Sequence, residues 1–87
     1  MSGMDVRKIV GMNVRKARLQ AGISQEELAG RMGVEQYYVS GLEAGRRNAT
    51  LVTLWKTAMA LGVDAEVLFA KSGHRPELPK TRRSNKR

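Results

Sequence analysis

The side chains able to do chemistry in this chain are few, and they are hydrogen-bonding and charged groups rather than a reactive set. There is no cysteine, and the one histidine, His74, stands in a charged C-terminal stretch with no structured neighbour to serve as its partner. No glycine-rich phosphate loop is present, and the carboxylates fall at helix-capping or ion-pairing positions. A nucleophile with its base and a Cys-based zinc site are therefore excluded, and no enzyme, cofactor or metal is expected. What remains is charge. The net charge is +8, carried unevenly: residues 1–70 hold nine Lys/Arg against seven Asp/Glu, and residues 71–87 hold seven against one. A polyanionic partner is implied, although charge by itself does not separate DNA from RNA or an acidic membrane surface.

The elements that must position these groups fit in one domain. Eighty-seven residues, 41% hydrophobic and 28% charged, suffice for one thin core and not for a two-lobed cleft. No apolar run approaches the ~20 residues of a membrane helix, and Met1 to Asp5 lack a secretory signal's apolar stretch. A cytoplasmic protein with no membrane partner is expected.

Apolar residues recur at three- and four-residue steps, which predicts an all-α chain of five helices. Asp5 to Ala21 is the first, with Val6, Ile9, Val10, Val14, Ala17 and Ala21 inward, a basic opposite face and Gly22 as its stop. Ser24 opens the second, with Glu27 at capping-box spacing, Leu28, Ala29 and Met32 inward and Gly33 at its end. Gln36 to Ala44 is the third, with Val39 and Leu42 inward, Glu35 a weak cap before it and Gly45 after it. Thr50 caps the fourth, whose inner stripe is Leu51, Leu54, Ala58 and Leu61 and whose stop is Gly62; Asp64 caps a short fifth through Phe69. Residues 1–70 form the folded domain. From Lys71 on, two prolines, many charges and little apolar surface predict a mobile basic tail, 71–87. The second and third helices are brief and their connection is short and contains glycine, which is the geometry of a helix-turn-helix.

Three stretches carry a resemblance to a known family: S-Q-E-E-L-A-G-R-M-G-V at Ser24 to Val34, Y-V-S-G-L-E-A-G-R-R-N at Tyr38 to Asn48, and A-L-G-V at Ala60 to Val63. Over Val10 to Phe69 the chain resembles the lambda-repressor-like, Xre/Cro/C1-type helix-turn-helix family. The Y-x-S-G-L-E-x-x-x-R-N wording looks most like the controller proteins of restriction-modification systems. The resemblance implies a five-helix, sequence-specific regulator that binds double-stranded DNA as a homodimer, with recognition helix 35–44 in the major groove of a pseudo-palindromic operator.

Residue by residue, the resemblance puts Gln36 at the base-reading position, where its amide can pair with adenine N6 and N7; the alternative is a solvated polar residue at a helix start. Tyr37 follows on that face, able to touch a thymine methyl or a phosphate, and Tyr38 does the same or packs against Leu42. Ser40 bonds a base or phosphate, or bonds back to its own turn. Gly41 falls where relatives often carry a reader and offers no side chain. Gln25 matches the phosphate contact at the start of the second helix, and Arg46, Arg47 and Asn48 stand where they can grip the backbone; a solvated loop is the alternative. Arg18 and Glu43 match an ion pair joining the first and third helices.

Trp55, Leu68 and Phe69 are either core or a dimer seam. Lys80, Arg82, Arg83, Lys86 and Arg87 of the tail follow phosphates or only solubilise. A competing reading is an antitoxin-type protein that autoregulates its promoter and also binds a protein partner.

Overall fold

The computed structural model describes residues 5–71 and is helical wherever it is regular. Four α-helices form: α1 Val6–Ala21, α2 Gln25–Met32, α3 Gln36–Glu43 and α4 Leu51–Leu61, followed by a 3-10 helix, Ala65–Phe69. Each α-helix but the third starts on a side-chain cap. Asp5 accepts from the Arg7 N–H, the Ser24 hydroxyl from Glu27, and Thr50 from Thr53, each satisfying a backbone donor that the first turn leaves free. Glu35 makes no capping bond, so α3 is held by packing.

The core joins Val10 and Val14 of α1, Leu28 and Met32 of α2, Val39 and Leu42 of α3, Ala58 and Leu61 of α4, and Leu68. Burying each of the larger of these side chains contributes about 1.5–3 kcal/mol. Helix α3 packs on both α1 and α2, and this double support sets its angle. Its crossing with α1 is close, because a β-carbon on Gly11 would stand 2.5 Å from the Leu42 carbonyl oxygen and 2.7 Å from that of Glu43. Only a glycine lets the two backbones approach so far.

Several expectations are corrected here. The fifth element is a 3-10 helix rather than an α-helix, and the Asp64 side chain makes no capping bond. Five residues are too few for an α-helical ladder, and the segment closes instead through the Val67 N–H on Asp64 O and the Ala70 N–H on Val67 O. It is fastened to α1 by the buried Asn13, whose amide nitrogen donates to the carbonyls of Leu68 at 3.0 Å and Ala70 at 2.7 Å. Leu68 is fully buried, so it belongs to the core and cannot line a dimer seam. Val6 and Ala21, at the two ends of the α1 stripe, are exposed, and so is Leu51 in the first turn of α4. All three overhang the core at a helix end. The capping box on α2 is half made: Ser24 accepts from Glu27, but the Glu27 carboxylate turns to Arg31 at 3.0 Å.

Candidate nucleic-acid interface

Helices α2 and α3 are joined by Gly33, Val34 and Glu35 alone. Gly33 sits at φ +73°, a left-handed conformation that costs a residue with a β-carbon, and the following N–H of Val34 closes back on Ala29 O at 3.0 Å. The chain thereby turns sharply within three residues. Val39 and Leu42 then face the core, while Gln36 and Tyr37 are exposed and Ser40 is half-exposed on the other side of α3. The outer side of the helix is open at Gln36 and Tyr37 and half-open at Ser40.

A relay of side chains runs from the interior to that open side. Arg18 of α1 donates from Nε and Nη2 to the two carboxylate oxygens of Glu43, at 2.6 and 3.1 Å, and from Nη1 to Ile23 O at 3.0 Å. The bond from Arg18 to Glu43 raises the arginine above its already high ordinary pKa, so the guanidinium stays charged. Glu43 also accepts from Gln25 Nε2 at 3.0 Å, and Gln25 Oε1 accepts from Gln36 Nε2 at 2.7 Å. The fork of Arg18 fixes the carboxylate, the carboxylate fixes the Gln25 amide, and that amide fixes which way Gln36 presents its own. One N–H and the carbonyl of Gln36 remain free for an outside partner.

The other sequence-predicted residues divide. Arg46 and Asn48 are exposed in the loop after α3. Arg47 is half-buried and turned back over α3, its guanidinium carbon 4.7 Å from the Tyr38 ring centre and 5.5 Å from that of Tyr37. Tyr38 is half-buried and packed against the core, whereas Tyr37 is 66% exposed. Trp55 and Phe69 are exposed, and sequence reading missed the company they keep: with Leu51 and Val52 they line an apolar hollow of about 370 Å³. Adjacent apolar residues at Leu51 and Val52 were the available signal, since one helix face cannot bury both. His74 and the basic residues Lys80, Arg82, Arg83, Lys86 and Arg87 lie outside the described residues. Among the described residues no helix is long and apolar enough to cross a membrane.

Two short helices linked by a three-residue turn, the second supported from behind and open in front, define a helix-turn-helix domain. The helix-turn-helix family model matches residues 14–68, and the chain belongs to this family of transcriptional regulators. It is 45% identical over 73 residues to an HTH-type transcriptional regulator of Sinorhizobium fredii, covering 84% of this chain and 95% of the relative. It is 36% identical over 74 residues to the control protein C.SmaI of Serratia marcescens, covering 85% and 88%. Among solved structures, the restriction-modification controller protein C.AhdI of Aeromonas hydrophila superposes with a TM-score of 0.70 at 40% identity, over 72% of this chain and 91% of that one. These relatives are regulators and not enzymes.

Proposed function

We propose that the chain binds double-stranded DNA as a homodimer, each protomer laying α3 in the major groove of one half of a pseudo-palindromic operator. The observation that carries this reading is the open outer side of α3, with the Gln36 amide oriented by Gln25 and ready for a base edge. Gln36, Tyr37 and Ser40 face the bases, with Tyr38 at the margin. Gln25, Arg46 and Asn48 take phosphates on either side, fixing register without reading sequence. Residues 1–70 do this work in the cytoplasm, and the basic stretch 71–87 adds affinity that falls steeply with salt.

Dimerisation runs through Trp55 and Phe69 together with Leu51 and Val52. An exposed apolar surface on a charged chain favours a second copy, and pairing by a twofold axis sets two α3 helices one DNA turn, about 34 Å, apart. Selection of bound duplexes from a random pool tests the proposal. Paired half-sites one turn apart, bound about 10³-fold or more over random duplex, are expected. A ratio near one at the same salt overturns it.

A further inference from the structure

Gly41 sits in the middle of α3 and is nevertheless buried, because the side chain of Arg47 fills the space a side chain there would occupy. A β-carbon on Gly41 would meet Arg47 Nε at 3.0 Å and Cγ at 3.4 Å. The guanidinium is held against the rings of Tyr38 and Tyr37 and so is brought towards the exposed part of the helix where Tyr37 stands. Stacking engages the face of a guanidinium and leaves its N–H edge unspent. No carboxylate or carbonyl among the described residues accepts from it. Its neighbour Arg46, exposed and pointing from the loop, has no such hold.

We propose that Arg47, from the loop after α3, supplies the reader that the helix lacks at Gly41, and that it recognises a guanine in the major groove by a bidentate bond to O6 and N7. This rests on the DNA-binding reading above. A phosphate contact asks only for a cation on a flexible stem, which Arg46 provides. A cation laid along the helix, stiffened by two rings and seated in a glycine gap, has lost the rotamer freedom that makes base reading costly. The planar fork matches the guanine edge, whereas a lysine there would carry the charge without the geometry. Gly41 and the two tyrosines then act as positioning residues for Arg47.

The test is duplex selection from a random pool with the full chain and with Arg47→Ala, Arg47→Lys, Gly41→Ala and Gln36→Ala. The wild-type pool is expected to hold a guanine in each half-site that becomes random with Arg47→Ala, with Arg47→Lys and with Gly41→Ala, whose methyl displaces the arginine. The position lost with Gln36→Ala is expected to stay intact in all three. Affinity for the selected duplex should fall about ten-fold or more with Arg47→Ala, and Arg47→Lys should keep the wild-type salt slope. Replacing that guanine by 7-deazaguanine, which lacks N7, should weaken wild type several-fold and Arg47→Ala not at all. Circular dichroism identifies any variant that fails to fold, and Gly41→Ala, which favours the helix, and Arg47→Lys then decide. The proposal is overturned if the guanine survives in the Arg47 pools, or if Arg47→Ala weakens every duplex equally with a shallower salt slope, the signature of a phosphate contact. A wild-type pool with no motif overturns the DNA-binding reading itself, and this proposal with it.

Discussion

Gly11 of α1 and the carbonyl oxygen of Leu42 in α3 are so close that a β-carbon would stand 2.5 Å from that oxygen, and both partners are backbone. Neither can swing aside as a side chain would. Gly11→Ala should therefore destabilise the fold by about 1–3 kcal/mol even though alanine is the better helix former. Gly30, exposed within α2 with nothing within 4 Å of an added β-carbon, is the control. Gly30→Ala should stabilise by about 0.5–1 kcal/mol. Chemical denaturation of the two variants checks both signs, and equal effects would show that the crossing is looser than described.

Arg18 and Glu43 pair with only 10% and 4% of their side chains exposed. Arg18→Ala leaves the carboxylate buried without its cation and should cost about 3–5 kcal/mol, a large share of a small domain's stability. Replacing both partners, as Arg18→Met with Glu43→Leu, removes the uncompensated charge and should recover most of that loss in thermal melts. The same double variant also removes the acceptor that orients Gln25. It should fold yet discriminate less between operator and random duplex than the wild type; unchanged discrimination would show that the relay does not set the Gln36 amide.

Leu51 is 81% exposed and Trp55 59% exposed, so neither supports the core of one protomer. Leu51→Glu and Trp55→Ala should leave the helical spectrum close to wild type and remove from the melting temperature only the concentration-dependent part that dimerisation contributes. Each should shift the protein from dimer to monomer in sedimentation velocity, with Trp55→Ala raising the dimer dissociation constant by about 30-fold or more. A wild type that sediments as monomer at high micromolar concentration would remove the seam altogether.

Asp5 caps α1, and hydrogen bonds from Arg7, first from its side chain and then from its backbone N–H, hold the carboxyl pKa down to about 2 from 3.8. A depressed pKa means the contribution is complete above the ordinary value and disappears as pH falls through about 2. The Arg7 amide resonance should thus report fraying of the first turn with a midpoint well below 3.8. Asn caps about as well as Asp, so Asp5→Asn should keep the turn and abolish the titration. A midpoint at the ordinary carboxyl value would contradict the assignment.

The helix plan was legible because it rests on local chemistry. Ser24 and Thr50 cap as their positions require, and Gly22, Gly33 and Gly62 stop their helices in left-handed conformations. Where a residue's fate depends on what lies beyond its own helix, periodicity ran out. Leu51 and Val6 satisfy the spacing but overhang the core, and Leu68 could be read as core or seam because the turn of the last segment and its anchor at Asn13 are invisible in one dimension. The interface was legible as a set of residues and not as an arrangement. Nothing in the spacing of Gln25 and Gln36 announces their 2.7 Å bond, and nothing about Arg47 sets it apart from Arg46. A glycine inside an amphipathic helix was a partial hint: it marks a close approach at Gly11 and Gly41, but Gly30 in α2 stands in open space.

Because the outermost amide is steered by a chain of contacts that begins at Arg18, hidden positions have a vote in target choice. A lineage adapting to a new operator need not alter any group that meets the nucleic acid. Libraries that randomise only the visible face of α3 would therefore overlook part of the inheritable variation in preference, including changes two helices away.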